Sequence, residues 1–182
     1  MQIRTLSPDL SICDQPRPED MARIASLGLR HHRVVVVGGG SAGIATTASL
    51  LKRRKGLDIA VVEPREEHYY QPGWTMVGGG VFKPRDTVRP TGKIMPKGAQ
   101  WIHAGCIGFD PDRKAILLDD GTRLTYEVLI VAMGNRLAWE AVDGLEAALG
   151  QFGVTSNYRY DLAPYTWEPV SYTHLRAHET EA

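Results

Sequence analysis

The chain has 182 residues, enough for one domain of ordinary size with its own hydrophobic core. Its 21 basic and 21 acidic residues give a formal net charge of +0, and no basic stripe with interleaved aromatic residues occurs, which argues against electrostatic binding to nucleic acid. The two cysteines, Cys13 and Cys106, lie far apart and form neither a disulfide framework nor a metal motif, as is typical of a reducing compartment.

The first thirty residues differ in pattern from the rest of the chain. Short apolar runs around a turn at residues 7–9 predict two strands, and the stretch from Pro18 to Leu27 predicts a helix that ends at Gly28. So short a segment cannot bury a core by itself, so we expect an extension of the next domain or the start of a larger unit. The segment has no apolar core of a secretory signal, and no run in the chain approaches the about 20 apolar residues that span a bilayer.

Residues 33–63 carry the most informative pattern. The valines from Val34 to Val37 lead into the run GGGSAG at residues 38–43, a helix-forming stretch comes next, and a second strand beginning at Ile59 ends on Glu63. Strand, G-x-G-x-x-G, helix, strand and acidic residue, in this order, are the fingerprint of a dinucleotide-binding βαβ unit. The sequence therefore predicts such a site.

Each part of the fingerprint has a physical role. Gly38 makes the tight turn, Gly40 lets the backbone approach a pyrophosphate, and Gly43 lets the helix pack closely on the strand. The helix N-terminus offers unpaired N–H groups and a partial positive charge to the phosphates. Glu63 is placed to accept hydrogen bonds from ribose hydroxyls, and because a carboxylate repels a 2′-phosphate, FAD or NAD is favoured over NADP.

The remainder predicts an FAD domain rather than a plain NAD domain. Residues 64–98 are rich in turns but contain large apolar side chains, which indicates an ordered, functional loop. The next segment predicts a β-meander, with strands at residues 101–109, 114–118 and 123–125. The apolar run from Val128 to Ala132 predicts a buried parallel strand that ends in the Ala132-Met133-Gly134 turn. The expected fold class is α/β: an incomplete Rossmann-like FAD-binding domain with a parallel sheet of three or four strands.

Several segments resemble one family. They are the glycine unit with Glu63, the segment EHYYQPGWT at residues 67–75, RPT at 89–91, residues 126–134, SNY at 156–158 and YTWE at 165–168. Residues 33–168 thereby resemble sulfide:quinone oxidoreductases, within the FAD-dependent pyridine nucleotide-disulfide oxidoreductase superfamily. The segment at residues 67–75 distinguishes this family from type II NADH dehydrogenases and from glutathione-reductase-like enzymes, which carry a redox C-x4-C absent here.

The resemblance implies FAD-dependent oxidation of sulfide, with electrons passed to a membrane quinone. In the family a cysteine pair attacks the sulfide sulfur and holds it as a persulfide beside the flavin. The residues implied to bind the cofactor are Gly38, Gly40, Ser41, Ala42, Gly43, Glu63 and Pro64 for the ADP half, Gln71 and Pro72 near the flavin, Cys106 through main-chain atoms against the adenine, and Ala132 and Gly134 closing over the cofactor.

The family's catalytic cysteines have no counterpart in this chain, and neither Cys13 nor Cys106 matches them. We therefore expect no catalytic residue here, and two inert, partly buried thiols. Two other functions remain open. The first is a type II NADH:quinone oxidoreductase-like flavoprotein, and the second is an inactive nucleotide-binding fragment with an uncovered sheet surface.

The sequence suggests three divisions. Residues 1–30 resemble the start of a beta-lactamase-hydrolase-like, phosphatase-like domain, residues 31–169 are expected to form the N-terminal part of the FAD/NAD(P)-binding oxidoreductase domain, and residues 170–182 resemble a non-native tail. No metal site is expected, at His174 and His178 or elsewhere, and His31-His32 is expected to be a solvated linker. The expected location is cytoplasmic, with peripheral contact at the inner membrane in the full-length parent.

Overall fold

The computed structural model describes residues 30–179, with side chains described as far as Thr173. Predictions for the first 29 residues, including Cys13, and for the side chains of His174 and His178 lie outside this part. The strands are β1 Arg30–Val37, β2 Ile59–Val62, β3 Glu67–Tyr69, β4 Val88–Pro90, β5 Ala99–Ile102, β6 Cys106–Asp110, β7 Ala115–Leu118 and β8 Arg123–Val131. The helices are α1 Ser41–Arg53, α2 Gly73–Gly78, α3 Thr91–Ile94, α4 Leu145–Ala148 and α5 Ala163–Glu179, with 3-10 turns at Pro84–Thr87 and Trp139–Ala141.

Four adjacent parallel strands form one side of the main sheet. The order β5-β2-β1-β8-β7-β6 places β1 between β2 and β8, and all three pairings among the first four strands are parallel. Val36 pairs with Val61 on one side and with Ile130 on the other. This architecture confirms the predicted Rossmann-like α/β fold and its βαβ unit.

Alternate residues of β1 enter two separate cores, as the twofold period of a strand requires. Val34 and Val36 pack with β2 residues beneath Leu50 and Leu51 of α1. Val35 and Val37 face the other way and pack against a cluster that includes Leu118 of β7. Because both faces are covered, the β-branched run that marks this strand is almost completely buried.

The β-meander folds back across the sheet. Only residues 103–105 separate β5 at one edge from β6 at the other. That link reaches about 14 Å at most, whereas five strand spacings measure about 24 Å. The β6-β7 hairpin must therefore turn over one face, where Ile116 and Leu118 join the core made by Val35 and Val62. The single predicted strand over residues 101–109 is wrong for this reason.

The strand β8 also differs from the prediction. It runs unbroken from Arg123 to Val131, pairing with β7 over its first residues and with β1 along nearly its whole length. The parallel pairing predicted for the run from Val128 is found, but its predicted burial is wrong, since Val128 and Val131 are 45% and 59% exposed. Over this half, β1 is its only partner strand within residues 30–179. The main sheet therefore has an uncovered apolar surface.

The turn-rich stretch of residues 64–98 contains regular structure. The strands β3 and β4 form an antiparallel ribbon, and α2 packs against α5. Gly78 makes this helix contact possible, since a Cβ there would lie 3.1 Å from Cβ of Thr166 in α5 and 2.5 Å from Oδ1 of Asn157 in the loop before it. The helix α5 continues through Pro169 to Glu179, past the division expected at residue 169. Within residues 30–179, no helix combines the length and apolarity that crossing a bilayer demands.

His31 and His32 belong to β1, so the prediction of a solvated linker is wrong. Their side chains point to opposite faces, as expected for neighbours on a strand. His32 is buried, and its Nδ1 lies 2.7 Å from Oδ1 of Asp58. His31 Nδ1 lies 2.9 Å from Oγ1 of Thr125, while its buried Nε2 has no partner among the described residues.

Burial lowers the pKa of His31 below its usual 6.5, against the opposing influence of Glu127 and Asp58 and with a further small lowering from His32. The folded state therefore prefers neutral His31. Stability from this preference is complete above pH 6.5 and is lost as the pH falls through the lower folded value. We expect a His31→Asn variant to lose less stability than the wild type between pH 7.5 and 5, as measured by urea denaturation. Parallel pH profiles for the two proteins would contradict this.

Candidate dinucleotide-binding site

The glycine turn lies at the carboxyl edge of β1, between the ends of β2 and β8. The Gly38 N–H donates to Val62 O over 2.9 Å, and the Ala132 N–H donates to Val37 O over 2.7 Å. Gly38 has a φ of +105°, and a Cβ there would lie 2.4 Å from Ala132 O. Only glycine combines this backbone conformation with so close an approach.

The helix α1 packs tightly on this turn. A Cβ at Gly43 would lie 1.8 Å from Gly38 O, so a side chain has no space there. At Gly40, the N-cap of α1, nothing lies within 4 Å of the same added atom. The two glycines therefore have different roles, one in packing and one in leaving open space in front of the helix.

The N-terminus of α1 is chemically suited to an anion. Its N-cap makes no side-chain hydrogen bond, and its first turn contains no acidic residue. The exposed residues Ser41 and Ala42 lie at this end. N–H groups here, together with the helix dipole, favour a phosphate. The open space at Gly40 lies beside these donors, so the arrangement fits the diphosphate of a dinucleotide.

Glu63 joins β2 to the glycine turn. Its Oε2 accepts the Gly39 N–H over 2.8 Å, and its Oε1 accepts the Arg65 N–H over 2.9 Å. The half-buried carboxylate is thereby held beside the turn with acceptor capacity to spare. This is the place and the chemistry that ribose hydroxyls require, so the donor and acceptor set fits the ADP half of the predicted cofactor.

The side chains of two histidines and one tryptophan hold the backbone of this region. The sequence did not single them out as cofactor ligands. His68 Nδ1 lies 3.3 Å from Gly39 O, Trp101 Nε1 donates to Glu63 O over 2.8 Å, and His103 Nε2 lies 2.6 Å from Pro64 O. The available signal for Trp101 and His103 was their place in the strand predicted at residues 101–109.

The remaining predicted site residues lie farther from the turn or contact it through the backbone. Ala132 is packed against Gly38, while Gly134, with a φ of +76°, has open space around it. Gln71 donates to Asn157 O over 3.5 Å, a contact away from the glycine turn, and Pro72 caps α2. In the structure, Gln71 and Pro72 therefore belong with α5 and the loop before it rather than with the glycine turn.

A cavity of about 660 Å³ lies beside the glycine site rather than in it. Its lining is Arg65, Glu66, Glu67, Tyr69, Trp74 and Tyr160. Successive side chains of β3 point to opposite faces. The cavity therefore lies on the Glu67 and Tyr69 face, while His68 reaches Gly39 on the other. Tyr69 and Tyr160 pack edge-to-face with ring centroids 4.9 Å apart, which closes one side.

Cys106 begins β6, with its Sγ 3.5 Å from Gly108 O. The thiol is half-buried, and this burial raises its pKa. Because the thiolate is the reactive form, we expect slow alkylation. In a Cys13→Ser background, the folded chain should react with iodoacetamide at pH 7.5 more slowly than a free cysteine, and urea should abolish the difference. Equal rates in the folded and unfolded chain would contradict this prediction.

Comparison with known proteins agrees with this geometry. Residues 32–165 match the family described as pyridine nucleotide-disulphide oxidoreductase. The chain belongs to this family. Two relatives are mitochondrial sulfide:quinone oxidoreductases. That of Dictyostelium discoideum is 45% identical over 116 residues, 64% of this chain and 25% of the relative, and that of Mus musculus is 40% identical over 126 residues, 69% and 28%.

A solved structure of the sulfide:quinone oxidoreductase of the hyperthermophilic bacterium Aquifex aeolicus is similar in fold. It is 25% identical and superposes with a TM-score of 0.62, covering 80% of this chain and 32% of its own. The chain thus spans about a quarter of the length of the curated relatives and resembles their N-terminal part. Membership of the family, together with these relatives, implies a flavin cofactor.

Proposed function

We propose that this chain binds the ADP half of FAD in an enzyme that oxidises sulfide and passes the electrons to a quinone. The observation that carries the binding proposal is the glycine turn between β1 and α1, with Glu63 held against it through Gly39. The identity of 45% to a sulfide:quinone oxidoreductase supports the reaction. Sulfide and quinone are accordingly its proposed partners.

We propose a division of labour among these residues. Gly38, Gly40, Ser41, Ala42 and Gly43 receive the diphosphate, and Glu63 and Pro64 receive the ribose side. The backbone at Cys106 is assigned to the adenine, Ala132 and Gly134 to closure over the cofactor, and Gln71 and Pro72 to the flavin end. The proposed oxidoreductase segment is residues 31–169, with 1–30 and 170–182 as separate pieces.

Bound FAD would supply the acceptor for the two electrons of sulfide and the donor to quinone. The residues of this chain would orient the cofactor by its ADP half and select its ribose. The half-buried Cys106 thiol has a raised pKa, which makes it unsuited to attack sulfur. We therefore propose that no catalytic residue lies among residues 30–173, and that the site's contribution is binding. A cytoplasmic protein with peripheral contact at the inner membrane is the proposed location.

Nucleotide binding can be measured directly on the purified chain. We expect FAD added to the chain to remain bound through gel filtration, with flavin absorption at about 375 and 450 nm. Titration calorimetry should detect ADP as a competitor, because the contacts proposed for the glycine turn and for Glu63 lie in the ADP half. The absence of binding by both FAD and ADP would overturn the proposed site.

The reaction is tested on the flavoprotein that contains this segment in the cell. Under anaerobic conditions, sulfide should bleach the flavin and a short-chain ubiquinone should restore its colour. NADH should bleach the flavin no faster than buffer without any reductant does. Rapid bleaching by NADH with no response to sulfide would replace the proposal with a type II NADH:quinone oxidoreductase.

A further inference from the structure

We propose that Trp101, assisted by His103, is a positioning residue that fixes Glu63 for ribose binding. It thereby sets the preference for a 2′-hydroxyl over a 2′-phosphate. The inference rests on the proposed nucleotide site, and it names residues outside the glycine fingerprint as determinants of cofactor choice.

Two successive carbonyl groups after β2 are held by side chains of β5 and of the residue just beyond it. Trp101 Nε1 donates to Glu63 O over 2.8 Å, and His103 Nε2 lies 2.6 Å from Pro64 O. Because a carbonyl oxygen can only accept, His103 must carry its proton on Nε2 in this contact. The two rings pack on each other with centroids 5.1 Å apart and planes inclined at 35°.

These contacts determine where the Glu63 side chain begins. The same residue carries the carbonyl held by Trp101 and the carboxylate that accepts the Gly39 N–H. The fit against the turn is close, since a Cβ built on Gly39 would lie 2.7 Å from Glu63 Cβ. A small displacement of the Glu63 backbone therefore changes the distance between its carboxylate and the glycine turn.

Discrimination depends on the fixed position of this charge. Each carboxylate oxygen already accepts one backbone N–H, from Gly39 or Arg65, and its remaining lone pairs are available to ribose hydroxyls. A 2′-phosphate at that place would be repelled by the Glu63 carboxylate, because these two hydrogen bonds keep the side chain from rotating to another position. Without the Trp101 N–H, the segment after β2 gains freedom, ribose hydroxyls lose a fixed acceptor, and the repulsion of a phosphate weakens.

The structure offers a matched control. Trp74 has a buried Nε1 with no hydrogen-bond partner among the described residues, and its indole lies in the aromatic cluster with Tyr69 and Tyr160. Trp101→Phe removes a donor to Glu63, whereas Trp74→Phe removes the same chemical group from a place where it holds nothing. For His103, glutamine retains a donor at the position of Nε2 and leucine does not.

The first experiment measures binding of ADP, AMP and adenosine 2′,5′-bisphosphate by calorimetry at fixed ionic strength; the last two ligands differ only in the 2′-phosphate. We expect Trp101→Phe to weaken ADP binding about fivefold, the value of one ordinary hydrogen bond, and to narrow the ratio of the affinities for AMP and adenosine 2′,5′-bisphosphate. Trp74→Phe and His103→Gln should retain wild-type values, and His103→Leu should behave like Trp101→Phe.

A double-mutant cycle with Glu63→Gln separates positioning from general destabilisation. If Trp101 acts through Glu63, Trp101→Phe should change ADP affinity less than twofold once Glu63→Gln is present. Equal effects of Trp101→Phe in both backgrounds would overturn the proposal.

The second experiment needs no ligand. Amide hydrogen exchange at Gly39, measured by NMR, should accelerate about fivefold in Trp101→Phe and be unchanged in Trp74→Phe. Unchanged exchange in Trp101→Phe overturns the positioning of Glu63. A third outcome separates the two proposals: exchange accelerates in Trp101→Phe, but the folded wild-type chain does not bind ADP. That result supports the positioning of Glu63 by Trp101 and overturns the nucleotide site together with the proposed cofactor choice.

Discussion

Replacement of Gly43 by alanine is expected to lower the free energy of unfolding by about 2 to 3 kcal/mol and to abolish ADP binding. The new Cβ would lie 1.8 Å from Gly38 O and 3.0 Å from Gly38 C, both of which are backbone atoms. Neither can rotate away, so α1 or the glycine turn must move. Alanine has the higher helix propensity by about 1 kcal/mol, so the measured loss of stability is a lower bound on the cost of the packing clash. Urea denaturation monitored by circular dichroism gives the value.

Gly40→Ala is the matched control for this prediction. Gly40 has a φ of −70°, which alanine adopts, and its Cβ would enter open space. We expect a change in the free energy of unfolding below about 1 kcal/mol, the range for an N-cap substitution. ADP binding should still weaken, because the added methyl group occupies the space proposed for the diphosphate. Full stability and normal ADP affinity in Gly43→Ala would show that the contact is not as close as the structure has it.

The parts of the site that sequence predicts are those whose chemistry is local. Gly38 and Gly43 are required by a turn and a helix that lie next to each other in the chain, and both are found in those roles. Glu63 is expected at the end of the second strand, and β2 does end one residue before it. Its contact with Gly39 arises because adjacent parallel strands end at the same edge of a sheet.

The parts that sequence does not reveal depend on contacts between distant segments. Trp101 holds Glu63 because β5 pairs in parallel with β2, with Val61 opposite Trp101, and no local pattern specifies this register. The sequence does not reveal the break between β5 and β6 at residues 103–105, because strand-forming residues continue on both sides of it. The exposure of Val128 and Val131 is hidden for a related reason, since an apolar run predicts burial without indicating which neighbours cover it.

The ion pair in the middle of β1 should contribute to stability without affecting binding. Arg33 Nε donates to Glu127 Oε2 of β8 over 3.1 Å, and the two side chains are only 17% and 12% exposed. Arg33→Met leaves a carboxylate unpaired in a largely buried place, so we expect the free energy of unfolding to fall by about 3 kcal/mol. Urea denaturation measures it. ADP affinity of the folded variant should be unchanged, because Arg33 lies five residue steps along the strand from Gly38, about 16 Å.

The double variant Arg33→Met with Glu127→Leu should recover most of the lost stability, since apolar groups of similar size replace a buried ion pair with little cost. Arg136→Met is the surface control. Arg136 pairs with Glu140 at 2.7 Å, but the side chains are 85% and 52% exposed, so solvent screening should leave the free energy of unfolding nearly unchanged. A double variant no more stable than Arg33→Met would mean that Arg33 acts through its packing rather than by neutralising Glu127. Loss of ADP affinity in Arg33→Met would mean that the middle of β1 is coupled to its carboxyl end, so that this pair helps to hold the glycine turn.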